Sequence, residues 1–162
     1  MIKLANAPCS WGVLEFDLEG KVAPYGQVLE EMRATGYQGT ELGDWGFLPT
    51  QPNHLSQNLS KYELDLLGAF VPVNLKDSNT HLKGLVYALK VAGLMYYAGY
   101  ENAKIVLADD NGAVEARVKN AGNITSAMGL DPNEWEIFAE GANQIAYAVK
   151  EAYGLQTVFH HH

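Results

Sequence analysis

Short apolar runs alternate with longer segments of helical period along the chain. The apolar runs predict strands at 2–10, 37–43, 65–74, 102–110 and 155–162, and the segments between them predict helices at about 24–35, 53–62, 79–100 and 131–154. This alternation is typical of βα units, in which helices connect parallel strands. The run 65–74 is apolar on both of its alternating faces, which predicts a strand buried on both sides. No linker interrupts the pattern, so residues 1–162 form a single predicted domain.

Two of the helical segments carry more specific signals. In 131–154, Asp131 is the predicted N-cap, Pro132 and Glu134 occupy the first turn, and Gly154 ends the helix. In 79–100, Asn79 or Thr80 is the predicted cap. The predicted apolar face of that second helix consists of Leu82, Leu85, Val86, Leu89, Ala92, Gly93 and Tyr96.

Composition indicates a folded globular protein and excludes several kinds of partner. Hydrophobic residues make up 48% and charged residues 19% of the chain, which is normal for a domain with a sizeable core. The net charge is −8 and no run of Lys or Arg occurs, so neither nucleic acid nor an anionic membrane is an expected partner. The longest apolar stretch contains Lys90, and the N-terminal segment lacks a signal-peptide core. We therefore expect a cytoplasmic protein.

Cys9 is the only cysteine, which excludes an intrachain disulfide and a Cys-rich zinc site. It has no evident base partner in the sequence, so we expect a buried, small apolar side chain rather than a nucleophile. His54 and His81 begin predicted helices and are expected at the surface. The chain contains neither a GxGxxG sequence nor a Walker loop, so nucleotide binding is unsupported.

Polar residues follow every predicted strand. In parallel α/β folds the carboxyl ends of the strands meet at one edge, where function gathers. The residues at these ends are Asn6, Cys9, Ser10 and Trp11, then Glu41 and Asp44, then Asn74 and Asp77, then Asp109 and Asp110, and finally His160, His161 and His162.

Four segments around these strand ends carry a family resemblance. "NAPCSWGVLEF", "GYQGTELGDWGFLP", "LLGAFVPVNLKD" and "TVFHHH", in this order, resemble the first half of the xylose-isomerase-like TIM-barrel superfamily. Within it they are most similar to the branch of myo-inosose-2 dehydratase and related sugar-phosphate isomerases and epimerases. The resemblance covers essentially the whole chain and implies a partial, half TIM barrel, since the complete fold has eight strands and ~250 residues.

The resemblance also implies a divalent metal, which is manganese, cobalt, magnesium or zinc, at the barrel mouth. Most of its ligands come from strands five to eight, so only the fifth-strand position can be present here. His160 and His162 share one face of the predicted strand and are the predicted metal ligands, while His161 points to the other face as a predicted catalytic residue. An expression tag is the alternative origin of the three histidines. The strand-like "GLQTVF" before them, with no linker, favours native residues.

Glu41 is the second predicted catalytic residue, because the resemblance implies a glutamate near the substrate and burial would tune its pKa. The alternative is a solvated loop carboxylate. Asp109 is a predicted substrate-binding residue, although "DDNG" is also a plain turn sequence. Trp11 and Trp45 are predicted to stack on a sugar ring or, alternatively, to cap the core. Asn6 completes the predicted substrate-binding residues.

Two functions are compatible with these features. In the first, the chain is a fragment of a metal-dependent sugar or inositol isomerase, epimerase or dehydratase that removes a proton next to a carbonyl, and it is inactive alone. In the second, it is a non-catalytic half-barrel module. The first and fifth strands of an open barrel have unpaired edges, so this module would associate into a homodimer or a larger oligomer. The expected ligand of the first function is a small polyol or sugar.

Overall fold

Five parallel strands form a single sheet in the computed structural model, which describes residues 4–12, 23–110 and 114–161. The strands are β1 (Ala5–Asn6), β2 (Gly39–Glu41), β3 (Asp65–Val73), β4 (Lys104–Asp109) and β5 (Gln156–His160). Their order in the sheet is their order in the chain, and every neighbouring pair is parallel. The predicted fold is confirmed: this is an α/β arrangement of parallel βα repeats that resembles part of a TIM barrel.

Five α-helices connect the strands within the described residues: α1 (Tyr25–Ala34), α2 (Pro52–Lys61), α3 (Ser78–Tyr97), α4 (Glu115–Lys119) and α5 (Pro132–Tyr153). Four had been predicted; the additional helix is α4, in the polar connection before α5. The first strand is also shorter than predicted, because Pro8–Trp11 forms a 3-10 turn directly after β1. A proline cannot donate to a strand ladder, which accounts for the early end of β1.

The ends of α5 are those predicted from the sequence. The Asp131 carboxylate accepts from the Glu134 backbone N–H, and the Glu134 side chain accepts from the Asp131 N–H, which is a complete capping box. Gly154 ends the helix at a φ of 72°. For α3 the predicted cap is wrong: Asp77, rather than Asn79 or Thr80, caps this helix by accepting from the Asn79 N–H.

The core lies between one face of the sheet and the helices. Val71, Ile105 and Leu107 of the central strands are at most 1% exposed and pack on the helix layer. The opposite face of the sheet is open, with Leu67 of β3 46% exposed and Val158 of β5 43% exposed. The prediction that 65–74 is buried on both sides is therefore wrong. In a closed barrel the second face is filled by side chains of the strands opposite, and the described strands form only an arc.

The buried face of α3 differs from the predicted one. Leu82 is 73% and Val86 58% exposed, whereas the helix buries His81, Gly84, Ala88, Val91, Ala92, Gly93, Leu94 and Met95. The reason is close approach: a Cβ on Gly84 would lie 2.6 Å from Val73 Cγ1, so the small-residue face lies against the sheet. The surface position predicted for His81 is wrong as well. Among the described residues, no helix combines the length and the hydropathy that are needed to cross a membrane.

Candidate active site on the open face of the sheet

The register of the sheet identifies which side chains share the open face. Phe70 pairs across the strands with Val106 and Val158, and the next row on the same face contains Pro72, Ala108 and His160. The Phe70 and His160 rings have centroids 6.0 Å apart in an edge-to-face arrangement. β4 lies between their two strands, and two interstrand spacings would place the side chains about 9.6 Å apart. The two rings therefore lean towards each other over the small Ala108.

Glu41 ends β2 at the same side of the sheet and is half-buried. Burial raises the pKa of its carboxyl above the ordinary value, and the charge of His160 opposes this rise by a smaller amount. Glu41 pairs with Gly68, which lies on the same face of β3 as Phe70 and Pro72, so Glu41 and His160 share the open face at the ends of β2 and β5. A carboxyl with a raised pKa on the same face as an imidazole is suited to proton transfer.

We expect Glu41→Gln to stabilise the chain at pH 7. A raised folded-state pKa means that the ionised form is destabilised by folding. That penalty is fully present above the folded-state pKa, and it disappears as the pH falls below the ordinary value of 4.5. The difference in the free energy of unfolding between variant and wild type should therefore shrink between pH 7 and about pH 4, as measured by urea denaturation. Glu30→Gln on the exposed side of α1 is the control, and equal or lower stability of Glu41→Gln at pH 7 would contradict the prediction.

His161 follows the end of β5 and lines a cleft of about 170 Å³ between β5 and the first turns of α5, which His160 lines as well. Asp109, Arg117, Trp135 and Phe159 are among the other lining residues. The aromatic rings of this cleft contact each other, with 5.7 Å between the centroids of Phe138 and Phe159. The histidine that shares the open face with Glu41 is His160, a predicted metal ligand, and the catalytic role of His161 stays a prediction.

Asp109 ends β4 with its carboxylate turned to a neighbouring loop, where Oδ1 accepts from the Leu75 backbone N–H at 3.1 Å. Burial raises the pKa of Asp109, while the Leu75 hydrogen bond and the charge of Arg117 act against this rise. The following Asp110 lines a separate cavity, and its backbone N–H donates to the Val73 carbonyl. The rest of the predicted turn, residues 111–113, lies outside the described residues.

Side chains of two helices contact the two tryptophans at the strand ends. Trp11 Nε1 donates to Glu31 of α1 at 2.6 Å, and the Nζ of Lys90 on α3 lies 3.8 Å from the centroid of the Trp45 ring. Both rings also pack against the core. These contacts favour the core-capping alternative, and stacking on a sugar remains a prediction for both residues.

At the end of β1, the Asn6 side-chain oxygen accepts from the Ala7 N–H and from the Ser10 hydroxyl, at 2.9 and 2.8 Å. It therefore orders the 3-10 turn, and its predicted contact with substrate is untested. Cys9 lies in that turn and is exposed, so the prediction of a buried side chain is wrong. Cys9 was predicted in an extended strand that packs on the core, whereas it lies in a 3-10 turn, where its side chain is exposed.

Of the two predicted metal ligands, His160 lies on the open face of the sheet, and His162 lies outside the described residues. Within 4–12, 23–110 and 114–161, no group of three or more His, Cys, Asp or Glu side chains is arranged to hold a metal ion. A protein metal site takes three or four such donors. The described residues therefore do not form a complete metal site.

Three residues of this region were missed by the sequence reasoning: Phe70, Arg117 and Trp135. Phe70 could have been found from the sheet register, since a strand that alternates around Val71 presents Phe70 to the other face. Arg117 lies in the short helix α4 and Trp135 in the first turn of α5, and their sequence surroundings carry no signal for a cleft.

Comparison with known proteins finds similarity over the whole chain. An inosose dehydratase of Salmonella typhimurium is 27% identical over 163 residues, covering 99% of this chain and 51% of that protein. The rhizopine catabolism protein MocC of Rhizobium meliloti is 29% identical, with 99% and 47% covered. The crystal structure of the 3-keto-D-glucoside 4-epimerase YcjR from E. coli aligns with a TM-score of 0.65 at 12% identity, covering 98% of this chain and 56% of the other. The resemblance to the xylose-isomerase-like superfamily is confirmed.

No protein-family model matches the chain. It spans about half the length of the curated relatives that it matches. The structural likeness to the epimerase shows the fold, and the open face of the sheet lies where that fold closes its barrel.

Proposed function

We propose that this chain supplies one half of an active site that removes a proton next to the carbonyl of a small sugar or polyol. The single observation that carries the proposal is that Glu41 and His160 share the open face of the sheet, at the carboxyl ends of β2 and β5. The names of the relatives support the substrate class, since an inosose and a 3-keto-glucoside both contain a ketone. Glu41 is the proposed base, and His160 lies on the same face of the sheet.

The chemistry follows from the carboxyl environment. Partial burial favours a proton on Glu41, so its carboxylate is a better base than a solvated one. Glu41 takes the hydrogen on the carbon next to the ketone, and the C–H electron pair forms the enolate. If the enolate then expels a hydroxyl group from the next carbon, with a proton from an acid, water leaves and the reaction is a dehydration. If the carbon is reprotonated instead, the outcome is isomerisation or epimerisation.

Turnover by this chain alone is not expected. The open face supplies one wall of the site, and the relatives are about twice as long. His160 is placed to give at most one donor to the divalent metal that the resemblance implies, and the proton transfer above is proposed without it. The chain's own contribution is then substrate contact and the position of the carboxyl group.

Substrate contact can be tested by titrating the ¹⁵N-labelled chain with an inosose. We expect saturable shifts of the Glu41, Phe70 and His160 amides, and no accumulation of the dehydration product. Myo-inositol, which lacks the ketone, is the matched ligand control and should shift these amides less. Shifts of Arg117 and Trp135 without shifts of Glu41 and Phe70, or no shifts at all, would contradict the proposed site.

A second candidate function is self-association, and the exposed apolar face favours it. Leu67 and Val158 are nearly half exposed on that face, and within the described part of the chain β1 and β5 form the two outer edges of the sheet, with no further strand paired to them. A twofold axis along the strands would pair β5 of each copy with β1 of the other and cover both open faces. The chain would then act as a half-barrel assembly module.

Val158→Lys is expected to shift the oligomer to monomer, because it places a charge on the face and edge that would be covered. Sedimentation velocity over a concentration series measures the change. Val118→Lys is the matched control, since Val118 is a 55% exposed valine that lies on α4 and not in a strand of the sheet. A wild-type monomer at every concentration, or an equal response to both substitutions, would exclude association through β5.

A further inference from the structure

The peptide group of Leu75, in the connection between β3 and α3, is hydrogen-bonded from both sides. Its N–H donates to Asp109 Oδ1 at 3.1 Å, and its carbonyl lies 2.8 Å from His81 Nε2. The Leu75 side chain is fully buried and His81 is only 6% exposed. One residue of the loop is thereby tied to the end of β4 and to the first turn of α3.

The geometry determines the protonation of one histidine nitrogen. A backbone carbonyl can only accept, so His81 Nε2 must carry the hydrogen that bonds to Leu75. The ring is further confined by α5, where a Cβ on Gly141 would lie 2.5 Å from the same nitrogen. Gly141 thus leaves the space that His81 occupies.

The β3–α3 connection, which these two hydrogen bonds fix at Leu75, contains the polar residues that follow β3. Asn74 precedes Leu75, and its carbonyl accepts from the Thr80 hydroxyl at 2.6 Å. Lys76 follows it and pairs with Glu134 of α5 at 3.5 Å. Any displacement of the Leu75 peptide would move both neighbours at the rim of the sheet.

We infer that Asp109 and His81 are positioning residues, which together fix the β3–α3 connection at the rim of the proposed site. Asp109 then orders a loop rather than binding substrate. The positioning role rests on the proposed function, whereas the two hydrogen bonds can be measured in the chain without any substrate. A failed inosose titration of a wild-type chain that shows both hydrogen bonds would contradict the proposed function alone, and a wild-type chain that lacks the bonds but binds inosose would contradict this inference alone.

The test uses NMR of the full ¹⁵N-labelled chain. In the wild type, long-range ¹H–¹⁵N correlations should show His81 protonated at Nε2. Hydrogen exchange of the Leu75 amide should accelerate at least about tenfold in Asp109→Ala, and stay within about threefold of wild type in Asp109→Asn, which keeps an acceptor. Asp110→Ala is the matched control and should leave Leu75 unchanged.

For the second bond, His81→Gln keeps a donor and should preserve the ¹⁵N shift of the Lys76 amide, whose peptide contains the Leu75 carbonyl. His81→Leu removes the donor and should change that shift. A wild-type ring protonated only at Nδ1, a Leu75 amide that exchanges equally slowly in Asp109→Ala, or equal behaviour of the Gln and Leu variants would overturn the inference. The wild-type measurement decides the tautomer even if a variant fails to fold.

Discussion

Replacing Ile105 by alanine is expected to lower the free energy of unfolding by about 2–5 kcal/mol. Ile105 is fully buried in β4, the strand between β3 and β5, where it pairs with Ala69 and Thr157. The substitution leaves a cavity between the sheet and the helices, which packed neighbours can refill only in part. Since domains of this size are stable by about 5–15 kcal/mol, the loss should be evident as a lower urea midpoint at 25 °C.

A matched pair of valines tests which face of the sheet is packed. Val71 is fully buried on the helix side, whereas Val106 is half-buried on the open face. Val71→Ala and Val106→Ala remove the same atoms, so a larger loss of stability for Val71→Ala is expected. Equal losses at high protein concentration that become unequal on dilution would show that a second copy covers the open face. Equal losses at every concentration would contradict the open sheet.

The sheet could be predicted because each strand leaves a local signal. Apolar runs bounded by Gly, Pro, Asn and Asp gave all five strands, and strict alternation with helices gave their parallel order. The ends of α5 were predictable for the same reason, since a capping box and a terminal glycine act within one turn. Where the signal is local, the sequence was sufficient.

The faces of the elements were harder to predict, because they depend on what lies opposite. Leu82 and Val86 are more hydrophobic than Gly84 and Ala88, yet the small residues face the sheet because they allow α3 to approach Val73. The open face of β3 is apolar, as the inner face of a strand in a closed barrel would be. The five described strands form only an arc and do not enclose such an interior. Neither fact can be derived from periodicity alone.

For the candidate site, the sequence identified the residues at the strand ends but not the side chains and backbone groups that they contact. Glu41 and His160 were both selected as strand-end residues, and parallel topology explains why they share an edge. Which side chains turn towards that edge depends on tertiary contacts. Trp11 Nε1 donates to the Glu31 carboxylate, and the Asp109 carboxylate accepts from the Leu75 backbone N–H. Such partners lie 20 or 34 residues away in the chain, beyond the reach of any local pattern.

Gly141→Ala is expected to lower the free energy of unfolding by about 1–3 kcal/mol, through overpacking. Glycine to alanine within a helix would ordinarily stabilise by up to about 1 kcal/mol, so the sign itself is diagnostic. The new Cβ would lie 2.5 to 2.8 Å from three atoms of the His81 ring, which the Leu75 carbonyl and its burial prevent from moving away. Thermal and urea unfolding measure the change.

Gly26→Ala in α1 is the control, because its nearest neighbour, the Tyr62 hydroxyl, lies at an ordinary 3.4 Å. That variant should be as stable as wild type or more so. In a His81→Ala background the clash is removed, and Gly141→Ala should become neutral or stabilising, which a double-mutant cycle records as coupling of at least about 1 kcal/mol. If Gly141→Ala instead behaves like Gly26→Ala in the wild-type background, the His81 ring does not lie against Gly141 of α5. The hydrogen bond between His81 and the Leu75 carbonyl would then lose its support from α5.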